Sequence, residues 1–489
     1  MRWGWNQLTS MRTALILLFL LALAAIPGSI FPQQSISPIA VMDYKAENPG
    51  LDQVLEPLGM YDVYSSPWFS AIYLLLFVSL IGCITPRITK YARDLRKPPP
   101  RLPKRLDRLP ANAVVATAGA DGLGTAERWL KSKRYRTLAT AEGVSAERGY
   151  LRELGNLVFH LSLVGVLIGL AWSSLGGFLG SIVIVEGRGF SNAITQYDDF
   201  TAGALVDTDH LEPFSVHVDR FDAQFETGSV QRGAARVFDA HMRLTQDGET
   251  SEHLVTVNTP LTTDGGTQIN LLGHGYAPLV TVTDGNGDVA FTGPMVFLPQ
   301  DGNFASVGVI KVPDGRPQRL AFEGVFLPTA VLDQDGPKSV FPDALDPELW
   351  INAWHGDPAE ETGIPESIYT LNTAGLEPFF GDDDERLRAR MKPGAGMTLP
   401  DGLGSISFDG YARWVKLQMS ETPGNPLALV SLAVGTIGLC MSLFIKPRRM
   451  FVRVTDDGLA VGGLDRSDTA LGLEDEVADL AAALEEESA

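Results

Sequence analysis

The 489-residue sequence is poor in the residues and motifs on which most enzymes run. Cysteine occurs only as Cys83 and Cys440, each near one end of an apolar stretch. A disulfide framework is thereby excluded, and any large folded region must rest on its own hydrophobic core. No GxxxxGK phosphate loop, HExxH zinc helix, GxSxG elbow or CxxC pair is present, which removes the common nucleotide, zinc-hydrolase, esterase and dithiol chemistries. Histidine is scarce too. His210, His217, His241, His253, His274 and His355 are scattered without metal-ligand spacing, and His274, in LLGHGYAP, reads as a surface-loop residue.

Charge is missing in a more informative way. Acids outnumber bases for a net charge of −20, yet Thr13–Gln34, Val63–Pro86, Leu154–Val185 and Thr422–Ile445 contain no charged residue. Each block can supply the ~20 apolar residues a helix needs to cross a bilayer. The first has arginines before it and an apolar run, Ala14–Ile26, within signal-peptide length. With three more spans following and no clear small-x-small cleavage site, an uncleaved helix is the better reading.

Orientation follows from lysine and arginine. Residues 86–109 carry nine basic residues against Asp94 and Asp107, and KPRR follows the fourth block at 446–449. Both mark a cytoplasmic side. The expected organisation is two transmembrane helices with a short outer loop over 1–86 and a cytoplasmic basic arm with a small α/β unit over 87–153. A third span over 154–174, an extracytoplasmic β-rich domain over 175–423, a fourth span over 424–445 and a cytoplasmic acidic tail over 446–489 follow. The fold class is an α+β membrane protein, with three N-terminal spans, one C-terminal span and a large sandwich-like outer domain.

Within the outer segment the apolar period shortens to two. FSVHVDRF (214–221), HLVTVN (253–258), TQINLL (267–272), PLVTVTDGNGDVAF (278–291) and SVGVIKV (306–312) read as strands. Asp-Gly turns begin at Asp247, Asp264, Asp284, Asp301, Asp314, Asp335, Asp401 and Asp409. DGNGD (284–288) lacks the glycine and glutamate of a calcium loop and reads as a hairpin turn. The basic arm has no interleaved aromatics, so lipid headgroups rather than nucleic acid are its expected contact. VVATA, TAERWLKSKRY and RTLAT suggest a strand–helix–strand unit after it. The tail, with eleven acids from Asp456 to Glu487 against Arg466, reads as solvated apart from one amphipathic helix in LEDEVADLAAALEEE.

Against this background stands His160, inside GNLVFHLSLVGVLIGLAW (155–172). An intramembrane imidazole either hydrogen-bonds to a neighbouring helix, moves protons or ligates a metal. A proton relay calls for further titratable groups in the spans, and none is there. Axial ligation of haem iron needs one neutral imidazole, and a structural hydrogen bond stays open beside it. Asn156 lies four residues earlier, on the same helical face, where it could orient the ring. Gly165, Gly169 and Ser173 form a separate small-residue face suited to close helix packing.

The sequence resembles the ResB family of cytochrome c biogenesis proteins. The resemblance is carried by LTSMRTALILLFLLALAAIPGSIFPQ, LLLFVSLIGCITPR, AERGYLRELGNLVFHLSLVGVLIG, VNTPLTTDGGTQINLLGHGYAPLV and QMSETPGNPLALVSLAVGTIGLCMSLFIKPRR, in that order. It implies a System II component of a bacterial plasma membrane, multi-pass with both termini cytoplasmic, which helps carry haem to apocytochrome c outside. It would be a non-catalytic or co-catalytic subunit of a cytochrome c synthetase. The implied cofactor is a transient haem b shared with a CcsA/ResC-type partner. His160 would then be an axial ligand of its iron, Asn156 a supporting group and Cys83 a structural or haem-proximal residue. A thiol reductant of apocytochrome is a further expected partner. The alternative is an independent membrane oxidoreductase with b-type haem or quinone.

Overall fold

The computed structural model describes the chain except residues 1, 35, 37, 117–120, 335, 358–370, 382–384, 457, 466–471 and 487–489. Asp335, Arg466 and Glu487 therefore lie outside the described residues. The chain divides into two units, 1–171 with 424–489, and 172–423.

The first unit holds four helices long and apolar enough to cross a membrane: Met11–Ile30, Pro67–Arg96, Tyr150–Gly176 and Asn425–Phe444. Leu429, Val430 and Leu443 on the fourth are more than half exposed, as lipid-facing side chains would be with the backbone satisfied inside the helix. The third and fourth helices meet through small residues. Gly165 approaches Ser431, Gly169 approaches Ala428, and a Cβ added to Gly438 would lie 2.7 Å from the Phe159 amide nitrogen and 2.8 Å from the Gly155 carbonyl. This is the small-residue face expected from Gly165 and Gly169, extended toward Gly155.

The second helix does not stop at Pro86. It runs on to Arg96 with Pro86 inside it, at the cost of one backbone hydrogen bond. Arg87, Lys90, Arg93 and Arg96 consequently sit on the helix and not on a loose arm.

Beyond the spans, a five-stranded antiparallel sheet is built from both halves of the sequence. Its order is 111–115, 458–465, 448–455, 143–148, 136–140. Helices Gly122–Ser132 and Leu473–Glu486 cover it, burying Leu130, Val144, Val452, Val461, Leu480 and Leu484. The acidic tail thus folds where the sequence suggested solvation. Its strands supply the apolar faces that the strand–helix–strand unit of the loop needs, and its described acids are exposed or paired. Arg448, 6% exposed, bonds Asp465 at 3.2 Å and Glu476 at 2.6 Å, and Arg148 reaches Glu476 at 3.0 Å.

The second unit is β-rich. Two long strands, 268–284 and 404–421, pair antiparallel along their length and form a spine shared by two cores. Near one end Ile269, Leu417 and Met419 pack with Val216, Val218, Ala240 and Met242 of a four-stranded sheet (188–191, 214–225, 235–246, 249–256). Near the other, Tyr276, Val280, Ile406 and Phe408 pack with Ile310, Phe322 and Ile351 of a second sheet containing 306–312, 319–327 and 348–356. Asp247 and Gly248 take positive φ, 50° and 83°, in the two-residue turn joining 235–246 to 249–256. DGNGD is a hairpin turn: Asp284 accepts from the amides of Asn286 and Asp288.

His274 is a buried strand residue, 8% exposed, and not the surface-loop histidine its glycine neighbours suggested. Gly273 sits at a register shift. At Gly275 the Trp414 ring occupies the place of a Cβ, 2.4 Å away.

Candidate functional site

Two helical stripes, each spaced three and four residues apart, define the candidate site in the first unit. On the second helix Leu76, Leu80, Cys83 and Arg87 share a face, as do Asn156, His160, Leu163 and Leu167 on the third. All eight line one cavity of about 530 Å³, which Met11, Leu15 and Leu18 of the first helix close. Its volume falls within the roughly 300–1,000 Å³ typical of small-molecule sites, and apart from His160, Asn156, Cys83 and Arg87 its lining is apolar.

The orientation of the imidazole is set by its own helix. His160 Nδ1 lies 2.7 Å from the backbone carbonyl oxygen of Asn156. A carbonyl can only accept, so Nδ1 carries a proton, and in the neutral ring Nε2 keeps the lone pair. A backbone carbonyl fixing one nitrogen while the other stays available is the arrangement common to metal-ligating histidines. Asn156 therefore orients the ring through its main chain, while its side chain belongs to the cavity wall. Among the described residues no cluster of three or more His, Cys, Asp or Glu could hold a free ion. What the lining offers a metal is one axial imidazole in an apolar chamber, which suits iron already held in a macrocycle.

Cys83 lines the same cavity, and its thiol donates to the Thr9 carbonyl at 2.8 Å. Ser79 likewise donates to the Leu8 carbonyl at 2.6 Å. Together they dock the turn before the first span onto the second.

A second, polar cavity of about 780 Å³ adjoins this one and shares Arg87, Asn156 and Leu157 with it. The same stripes continue into it, as Lys90 and Asp94 on the second helix and as Glu153 on the third. The sequence singles out His160 from its apolar surroundings but not Arg87, which reads there as one more topogenic base and which the structure places in the wall of both cavities. The Cys83–Arg87 spacing of four was the available signal.

The sequence matches the ResB-like family over residues 11–478. It is 28% identical over 276 residues to the cytochrome c biogenesis protein CcsB of Picosynechococcus sp., an alignment covering 54% of this chain and 56% of that protein. Alignments with the CcsB proteins of Synechococcus sp. strain CC9605 (24% identity, 93% of this chain and 91% of the relative) and Nostoc sp. strain PCC 7120 (24%, 99% and 92%) run nearly end to end. A match from the first span to the helix that completes the tail sheet leaves a single assignment: the chain belongs to the ResB-like family.

Proposed function

We propose that this protein is a membrane subunit of the machinery that matures c-type cytochromes, and that it holds haem as cargo in the cavity beside His160. The carrying observation is the imidazole itself, with Nδ1 tied to the Asn156 carbonyl and Nε2 without a hydrogen-bond partner among the described residues. The similarity to proteins named cytochrome c biogenesis protein CcsB supports the process. Haem b supplies an iron with two axial positions, and His160 is the only intramembrane histidine of this chain. The second ligand then comes from another chain, for which a CcsA/ResC-type partner is proposed. Cys83 serves chiefly to hold the first helix in place.

The proposed orientation places residues 87–153 and the folded tail in the cytoplasm of a bacterium and residues 175–423 outside, following the basic residues. Haem would be met at the cytoplasmic ends of the second and third helices and passed outward toward apocytochrome c. The roles of this chain's residues are to exclude water from the macrocycle with the leucine stripes and to present one nitrogen at a fixed angle.

The test is substitution of His160 in the full complex. His160→Ala keeps a good helix former and leaves the small-residue face intact. It should accumulate to parental level, lose at least about tenfold in haem content and mature no c-type cytochrome, with added imidazole restoring part of the haem band. His160→Gln keeps hydrogen-bonding capacity but is a poor ligand for iron. If the glutamine variant matures cytochromes as well as the parent, His160 is a packing residue and the proposal fails.

A further inference from the structure

The apolar cavity and the polar one beside it differ in kind, and their shared wall contains a cation. Arg87 lines both, and its guanidinium has only a weak partner, the Met11 sulfur at 3.0 Å from Nη2. Lys90, one turn further along the same face, lines the polar cavity. The other cations there are committed. Lys97 pairs with Asp94 at 2.8 Å and Arg449 with Glu147 at 2.9 Å. Arg136 donates to the carbonyls of Leu95 and Lys97 and lies over the Tyr150 ring. Arg87 and Lys90 are thus left without a carboxylate partner among the described residues, and Glu153 is the acid of that cavity without a cation partner among them.

Resting on the haem reading above, we infer that Arg87, assisted by Lys90, receives the carboxylates of the macrocycle. An amphipathic dicarboxylate fits the graded lining: its ring lies among the leucines by His160 and its acid edge reaches the polar mouth. Asn156, shared by both cavities, is four residues or about 6 Å of helix rise from His160, so the step from apolar to polar lining falls within the span of one porphyrin. Arginine suits the task because its fork donates two parallel hydrogen bonds to a carboxylate. Arg87 is a binding residue for one edge of the ligand, separate from the iron. It fixes which way round the ring enters, acids toward the cytoplasmic mouth.

Cations just beyond an apolar span also meet lipid phosphates, and the experiment separates the two. The full chain, purified in detergent with its native complex, is titrated with haem and with haem dimethyl ester, whose carboxylates are blocked, and the absorbance band is followed. The parent should bind haem about tenfold or more tighter than the ester. Arg87→Gln should remove most of that preference while the His160-dependent band keeps its position, Arg87→Lys should retain part of it, and Lys90→Gln should reduce it less than Arg87→Gln. A parent that binds acid and ester alike, or an Arg87→Gln variant that keeps the full preference, overturns the inference and returns Arg87 to a headgroup anchor. Failure of the haem reading reads out separately, because neither ligand then gives a band that His160→Ala abolishes, and the inference falls with it.

Discussion

Two imidazoles of this protein sit among apolar side chains and do opposite things. His160 has one nitrogen engaged and one free, whereas both nitrogens of His274 are buried without a partner. The His274 ring lies 4.6 Å from those of Phe238 and Phe304 and 5.0 Å from that of Phe221. Burial, with the nearby Arg413 cation as a smaller contribution, lowers its pKa from 6.5 to about 4. Between those values the unfolded chain binds a proton that the folded chain refuses, so stability is full above pH 6.5 and declines as pH falls toward 4, by up to about 3 kcal/mol. His274→Phe keeps an aromatic ring and removes the proton. The thermal midpoint of the variant should therefore match the parent near pH 7.5 and exceed it progressively down to pH 4.5; parallel pH profiles would show that burial here costs nothing. His160 was legible in the sequence because a polar residue in an apolar helix stands out. His274 was not, since glycines on either side look like loop residues until the Trp414 ring is seen to need the space of one.

Among the elements, the packing of the third span on the fourth depends most on the absence of side chains. The Cβ of Gly438→Ala would press on backbone atoms of the third helix, which cannot move aside as a flexible side chain would. It should destabilise the pair by about 1–3 kcal/mol, read as a lower melting midpoint in detergent, whereas Val430→Ala, at a position 63% exposed, should change little. The spans themselves were readable, being long runs without charge, and so were strands of the β-rich second unit, whose alternation places Val216, Val218, Val280 and Val282 inward. The cavity was not readable from any one span. Its walls belong to three helices, and which faces meet is decided by Ser79, Gly82 and Cys83 receiving the turn at Leu8 and Thr9. The two tail strands escaped notice for another reason: GLAVGGLD buries Leu459 and Val461, a signal too short to stand out among so many acids.

For the molecule as a whole, the tail is a structural member and not an appendage. Ending the chain after Ile445 would strip two of the three interior strands and one covering helix from the five-stranded sheet, leaving Val144 and Ala146 without the strand they pair beside. Limited proteolysis should then cut within 121–148, which the full chain should protect; continued protection would refute the joint sheet. Arg448→Ala should do similar damage with one change, costing about 3–5 kcal/mol, because it removes the buried cation that both Asp465 and Glu476 bond and leaves Glu476 with Arg148 alone. By the same logic a double change that also neutralises Glu476 should be milder than the single one.

That sheet also imposes a timetable. Glu147 and Arg449, which pair across it, are 302 residues apart in the sequence, and at about 5–20 residues per second a ribosome needs roughly 15–60 s to make the stretch between them. For that interval the strand 143–148 waits with an open edge while the intervening β-rich segment is synthesised and folded. The protein therefore completes its first unit last, and an apolar edge stays open to other chains until the C-terminal residues arrive to cover it.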